Sequence, residues 1–379
     1  MTLTTHMILV SAQPIPNLTP LLDDSLGVKK VIMLVSTDMQ KRSIALEAIL
    51  KPRGIKVERH TVEDPWDAAM ISDQVLDILT DYPNRNIALN ATGGTKLMSI
   101  AAYEAFRSDD FPVFYVHPEK DRLIWVTPRQ APVELANRLK IKDYLMAYGA
   151  ESVTVPSVLG VPEPVRLLTQ NLLTDIDRYA IELTTLNFLA YEAKDKPRLT
   201  VTIKESPAAR ARLWDLIELF ECAGLCSING QQLSFADEEA RFIANGGWLE
   251  LHTYALCLNL KKSLDIQDVA ANITIHRKPG GKDEVKNEID VALIKENRLH
   301  LMECKTKRYQ QDKDADALYK LDSLRDLVGG LQGRAMLISF NELDKTARAR
   351  AKELKIAVHC KSELRNLQQH LTHWLKSDR

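Results

Sequence analysis

The stretch NEIDVALIKENRLHLMECKTKR, residues 287–308, carries Glu288 and Asp290 at one end and Glu303 and Lys305 near the other, with an apolar run between. With Glu296-Asn297 as the turn of an antiparallel hairpin, facing residues have numbers of constant sum, so Asp290 lies opposite Glu303 and Glu288 opposite Lys305. A longer turn would shift that register. Strand alternation puts all four on one face, which Ala292, Ile294, Leu299 and Leu301 continue as apolar core. Two close carboxylates repel unless protonated or bridged by a cation. All-oxygen ligation with open water positions suits magnesium or manganese. A lysine alongside stabilises an attacking hydroxide or the charge that builds on a phosphate. On the hairpin alone a surface salt-bridge ladder, Glu288 with Lys305 and the other two solvated, competes with that reading.

The second chemistry-bearing stretch is IALNATGGTKLMSIAAYEAF, residues 87–106. A buried strand ends at Asn90, a polar turn follows, and a helix begins near Thr95. Free backbone N–H groups at a helix start, with Lys96 beside them, make an anion site. The glycines allow a phosphate or ribose to come close to the backbone. The pattern is neither the dinucleotide fingerprint nor a Walker A loop, and a plain strand-to-helix turn with a threonine cap also accounts for it.

These stretches need elements to hold them, and 379 residues are too many for one ordinary core. Apolar runs at 7–10, 31–35, 87–90 and 113–116 alternate with helical patterns such as KRSIALEAILKPRG and AAMISDQVLDIL. That order predicts βαβ units with a mostly parallel sheet, hence a Rossmann-like first domain over residues 1–150, closed by an antiparallel hairpin in VFYVHPEKDRLIWV. The Pro-punctuated segment 155–166 reads as a linker. A long amphipathic helix over roughly 166–193, a second helix and a hairpin with Asn229-Gly230 as a type I′ turn give a winged-helix-like domain over 151–236. No basic recognition helix stands in it, so it is read as a spacer. From 237 to 379 a helix through FIANGGWLELHTYALCL, strands at 266–276, 287–295 and 298–305, a helix at 314–328, a strand at 335–340, a helix at 344–354, a short strand and a last helix predict a compact α/β domain.

Net charge is −1 with 45% hydrophobic and 27% charged residues, a soluble globular composition that excludes a chain-wide electrostatic nucleic-acid binder but not a local basic groove. Five scattered cysteines without a CxxC motif predict reduced thiols and a cytoplasmic protein. Cys222 and Cys226 lack histidine partners nearby, so two packed thiols are expected there rather than zinc. No apolar run approaches membrane-spanning length, and the N-terminus lacks a signal-peptide pattern.

Asp290, a dozen residues, then Glu303-Cys304-Lys305 resembles the PD-(D/E)xK nuclease motif, and the α-β-β-β-α-β order around it is similar to that fold. The resemblance implies that Asp290 and Glu303 hold the metal, with the Cys304 carbonyl a further ligand. Lys305 would position or activate water, and Glu250 in GGWLEL would be an accessory acidic ligand. Glu288 is assigned only a pairing with Lys305. Lys307 and Arg308, just beyond the strand, are candidates for phosphate contact or simply a solvated strand end. The TGGTK turn in turn resembles the CARF (CRISPR-associated Rossmann fold) sensor domain, which binds cyclic oligoadenylate. On that resemblance Asn90, Thr92, Gly93, Gly94, Thr95, Lys96 and Met98 form one ligand segment, with Ser11 and Gln13 from VSAQPIPN and Thr37 from LVSTD. Both additions lie at carboxyl ends of parallel strands, where open α/β sheets bind ligands. A two-fold ligand across two equal half-sites implies a homodimer.

Taken together, CARF domain, winged-helix-like spacer and PD-(D/E)xK domain resemble the ancillary nucleases of type III CRISPR systems, activated by cyclic tetra-adenylate. The expected activity is metal-dependent hydrolysis of DNA, RNA or both, with manganese or magnesium. Two other functions remain open at this point. A ligand-responsive nucleic-acid-binding regulator would use the central segment and survive Asp290→Ala, and a nucleotide-binding Rossmann enzyme would bind NAD or ATP.

Overall fold

Valine-, isoleucine- and leucine-rich runs form the middle of the first sheet in this computed structural model, which describes residues 3–117, 119–156, 160–204, 210–278, 283–306 and 312–377. The strands are β1 (Thr5–Leu9), β2 (Lys30–Ser36), β3 (Lys56–Val62), β4 (Ile87–Asn90), β5 (Val113–His117), β6 (Arg122–Thr127) and β7 (Val133–Glu134), in the order β3-β2-β1-β4-β5-β6-β7. The first five are parallel, and β6 closes the sheet as the antiparallel partner of β5. Helices α1 (Ile15–Leu22), α2 (Gln40–Leu50), α3 (Ala68–Leu79) and α4 (Lys96–Ser108) connect the parallel strands. The carboxyl ends of β1, β2 and β4 therefore bring residues 10–14, 37–39 and 91–95 to one edge.

Helix α5 (Ile141–Ala147) leads to β8 (Ser152–Thr154), which does not belong to the middle segment structurally but pairs with the last sheet. The helix expected over 166–193 is two helices, α6 (Glu163–Thr174) and α7 (Ala180–Ala193). Between them the chain turns so that Ile176 and Tyr179 both enter the core. Strand β9 (Thr200–Thr202), helix α8 (Ala211–Cys222), and strands β10 (Cys226–Asn229) and β11 (Gln232–Phe235) complete a winged-helix-like unit with strand order β10-β11-β9. Asn229 pairs with Gln232, so the two-residue turn is Gly230-Gln231, one residue later than expected, and of the two only Gly230 takes a positive φ, +60°. Cys222 is exposed at the end of α8 while Cys226 is buried on β10, separated by Gly224 at φ +74°. The helix has ended between them, so they are not a packed pair, though all five thiols are free.

The last domain comprises α9 (Glu238–Phe242), a wide turn over Ile243–Gly247, α10 (Trp248–Leu260), β12 (Asp268–Arg277), β13 (Val285–Lys295), β14 (Arg298–Lys305), α11 (Asp312–Gly329), β15 (Arg334–Ser339), α12 (Lys345–Glu353), β16 (Ala357–Cys360) and α13 (Leu367–Lys376). Its sheet runs β16-β15-β14-β13-β12-β8, antiparallel from β8 to β14 and parallel from β14 to β16. One face packs under α10 through Val291, Leu293 and Met302. The other face, with Ala292, Ile294, Leu299 and Leu301, shares a single apolar core with Val10, Leu18 and Leu46 of the first domain and Tyr144 of α5.

Candidate active site and sensor turn

Lys295 faces Arg298, which leaves Glu296 and Asn297 as the turn, at φ +51° and +52°. Both values suit a type I′ hairpin, and the constant-sum register holds down to Val291 opposite Met302. The Asn297 side chain fastens this tip to the first domain: its amide nitrogen donates to Asp121, and its oxygen accepts the Leu139 N–H at 3.4 Å. At the other end the ladder stops. Asp290 Oδ2 accepts the Cys304 N–H at 2.7 Å, so a side chain stands in for the backbone partner. Strand β14 continues instead beside β15, with Glu303, Cys304 and Lys305 facing Leu337, Ile338 and Ser339.

Two expectations about this hairpin are corrected. Alternation does not run unbroken through Asp290: Ile289 packs with Ala292 and Ile294, whereas Val291 packs on the α10 side. The cause is local, because Asn272 on β12, between the pairs Ala271–Val291 and Ile273–Ile289, takes φ +53° and twists the strands there. Glu288 does not pair with Lys305. It is exposed and bound to Lys286 at 2.6 Å, while Lys305 Nζ lies 3.2 Å from Glu303.

Glu250 reaches the same place from α10. Gly246, at φ +114°, has no room for a Cβ, which would stand 1.9 Å from Thr306 Oγ1, and a Cβ on Gly247 would stand 2.3 Å from the Phe242 ring. Gly246 therefore lets the helix start press against the end of β14, and Gly247 lets it close on Phe242 of α9. Burial pushes the Glu250 carboxyl well above the usual range, and the charges of Asp290, Glu303 and Glu288 push it further. Asp290 is pushed up by burial and then by Glu303, with the Cys304 N–H, Lys305 and Lys320 opposing. Burial likewise holds the Cys304 thiol protonated, 3.5 Å from Thr253 Oγ1, so its sulfur is no anionic donor. Among the described residues no three His, Cys, Asp or Glu side chains form a ready-made ligand cluster. The donor set Glu250, Asp290 and Glu303 is nevertheless all oxygen and mutually repelling, which suits a hard divalent cation in place of the protons. Lys307 and Arg308 lie outside the described residues.

The sensor turn is built from within. Asn90 is fully buried: its Nδ2 donates to Pro16 O at 2.9 Å, and its Oδ1 accepts from Thr92 N at 3.1 Å and Thr92 Oγ1 at 2.6 Å. Thr92 Oγ1 also accepts the Val116 N–H at 2.8 Å. A Cβ at Gly93 would stand 2.0 Å from Leu9 O, and Gly94 takes φ +74°. Thr95 caps α4 by accepting the Met98 N–H at 3.1 Å, and Met98 itself is core. Asn90, Thr92 and Met98 thus shape the turn with side chains already engaged. Lys96 and Thr37 are exposed and Ser11 is half-buried at the same edge. Gln13 Oε1 accepts from Tyr148 Oη at 2.9 Å and from the Leu331 N–H, in the last domain, at 3.2 Å.

Over residues 5–144 the chain matches the family model of the Card1 CARF domain, and over 237–377 that of the Card1-like endonuclease domain. Protein VC1899 from Vibrio cholerae is 31% identical, the alignment covering 98% of each chain at a TM-score of 0.90. The chain belongs to the Card1-like family of CARF-domain endonucleases. Can2 from Sulfobacillus thermosulfidooxidans, solved in complex with cyclic tetra-adenylate, is 26% identical over 98% of this chain and 99% of that one, with a TM-score of 0.81. A type III CRISPR defence DNA nuclease activated by cyclic oligoadenylate shares the fold at 18% identity, covering 88% of this chain and 45% of that one at a TM-score of 0.58. Among curated proteins none matches.

For a Card1-like chain the sequence pattern left out the residues that join sensor to endonuclease. Tyr148, Asn297 and the Gly330-Leu331 loop belong to no motif, and only their contacts reveal them. Asn17, whose Nδ2 donates to Leu9 O at 2.7 Å beside Gly93, is another. Its place in the first turn of α1, directly after β1, is the one hint the sequence offers.

Proposed function

We propose that this Card1-like endonuclease is switched on by cyclic oligoadenylate, foremost cyclic tetra-adenylate, and hydrolyses phosphodiester bonds of DNA, RNA or both in antiviral defence. The reading rests above all on the splay at Asp290, where Glu250, Asp290 and Glu303 repel one another beside Lys305. Glu250, Asp290 and Glu303, with the Cys304 carbonyl, would hold manganese or magnesium, which when bound lowers the pKa of water and neutralises phosphate charge. Lys305, whose Nζ lies 3.2 Å from Glu303, presents its charge to the phosphate being attacked. Asp290 also fixes the Cys304 backbone, so the end of β14 stays aligned for the chemistry.

Ser11, Gln13, Thr37, Thr95 and Lys96, with the close backbone at Gly93 and Gly94, form half of the activator site. A second copy supplies the other half, which makes the working unit a homodimer. Asn90, Thr92 and Met98 serve that site by holding the turn. The Can2 complex with cyclic tetra-adenylate supports this choice of ligand. The domain limits 1–150, 151–236 and 237–379 follow the same reading. Among the described residues no helix is long and apolar enough to cross a membrane, and a cytoplasmic protein is proposed. Incubating the protein with manganese and plasmid, single-stranded DNA or RNA, with and without cyclic tetra-adenylate, tests it. Activator-dependent cleavage of at least one substrate is expected, and folded protein that cuts none of them overturns it.

A further inference from the structure

Beside Gln13 opens a cleft of about 820 Å³ whose other walls come from the endonuclease domain. Arg325, Arg334, Lys352 and Lys355 line it against one carboxylate, Asp326. The two arginines are fixed: Arg325 by Asp322 at 2.5 Å and Asp326 at 2.9 Å, Arg334 by Ser377 O at 2.9 Å with its guanidinium over Trp374. The two lysines are exposed, at the end of α12 and just after it, and among the described residues neither has an acid within ion-pair distance. The volume suits a small-molecule ligand, and the surplus of positive charge selects one bearing phosphates.

The place of the cleft decides which phosphates. Arg334 begins β15 and Ser339, facing Lys305, ends it, so the cleft lies roughly 16 Å along the strand from the catalytic end. It is bounded instead by a sensor residue. Gly330 there takes φ +57°, and a Cβ on it would meet Tyr148 Oη at 2.1 Å and Gln13 Oε1 at 2.5 Å, so the loop sits flush on the sensor domain. We propose that the activator site extends across this junction, with Lys352 and Lys355 of the endonuclease domain binding phosphates of the cyclic oligoadenylate held by the sensor turn. This rests on the function proposed above and adds the means of coupling. A ligand gripped by both domains favours one arrangement of them, and only such differential affinity can drive activation.

The test uses the full-length protein and cyclic tetra-adenylate as probe. Calorimetric affinities are compared for the unaltered chain, Lys352→Ala/Lys355→Ala and Lys352→Arg/Lys355→Arg at two salt concentrations, with thermal melts as the folding control. The alanine pair is expected to weaken binding on the order of tenfold per lysine, with a shallower salt dependence. The midpoint of activation should rise in proportion, and the arginine pair should retain tight binding. Unaltered affinity in the alanine pair overturns the cleft proposal while leaving the sensor reading intact. Unaltered activator affinity with a raised KM for polynucleotide assigns the cleft to substrate and overturns it too. Failure of the unaltered chain to bind cyclic tetra-adenylate overturns both readings.

Discussion

Gly246→Ala should damage the catalytic end of this protein through backbone geometry alone. The residue stands at φ +114°, and its added Cβ would fall 1.9 Å from Thr306 Oγ1. Holding an L-residue at such a φ costs about 1–3 kcal/mol. Relieving an overpacked contact costs about 1–3 kcal/mol more, so the substitution should destabilise by about 2–6 kcal/mol. The two parts separate in a double-mutant cycle, because Thr306→Ala removes the clashing oxygen and leaves the φ strain. Gly246→Ala should then cost about 1–3 kcal/mol in the Thr306→Ala background. Guanidinium unfolding followed by tryptophan fluorescence reads this well, since Trp248 is fully buried two residues away. Glu250 lies at the first turn of the helix that Gly246 introduces, so cleavage should fall as well. A Gly246→Ala protein with an unchanged unfolding midpoint and full cleavage would refute the argument that this glycine positions Glu250.

Three other outcomes are expected. Lys305→Ala, like chelation by EDTA, should abolish cleavage, and Lys305→Ala should leave the calorimetric affinity for cyclic tetra-adenylate unchanged. Lys96→Ala should do the converse, raising the activator concentration needed for half-maximal cleavage about tenfold while cleavage at saturation persists. The folded protein keeps His6 and His300 neutral through burial, at about 4 and about 3. Their contribution is whole above the unfolded value of 6.5 and is lost as pH falls from there toward 4, about 1.4 kcal/mol per pH unit for each. Asp121, held up to about 6 by burial, works in the opposite sense between 3.8 and 6, so His300→Gln should flatten the acid limb of a stability–pH curve measured by urea unfolding.

Where an element has its own apolar pattern, the chain announces it. The runs that became β1, β2, β4 and β5 needed no partner to be seen, and the turn at Glu296-Asn297 is set by the two polar residues between two apolar strands. Strand β3, KVERHTV, was invisible because it is a polar edge held by its seven-residue pairing with β2 and the Lys30–Glu58 ion pair. Alternation predicts faces only while the strand twist stays regular, and Asn272 ends that regularity at Asp290. The resemblance to a nuclease motif pointed to Asp290, Glu303, Lys305 and Glu250, but the bond from the Cys304 N–H to Asp290 depends on β14 leaving β13 for β15. Asn90 shows what spacing does not carry, since its amide nitrogen donates to Pro16 and its oxygen accepts from Thr92.

The apolar core common to both ends of the chain restricts how such a protein can be altered. A boundary cut near residue 150 would strip Ala292, Ile294, Leu299 and Leu301 of Val10, Leu18 and Tyr144, leaving two insoluble faces rather than two working halves. Sensor and nuclease are not interchangeable cassettes here. On the activator site proposed above, a new ligand preference is more accessible by single replacements around the edge at residues 11–13, 37 and 94–96 than by exchanging one whole domain for another.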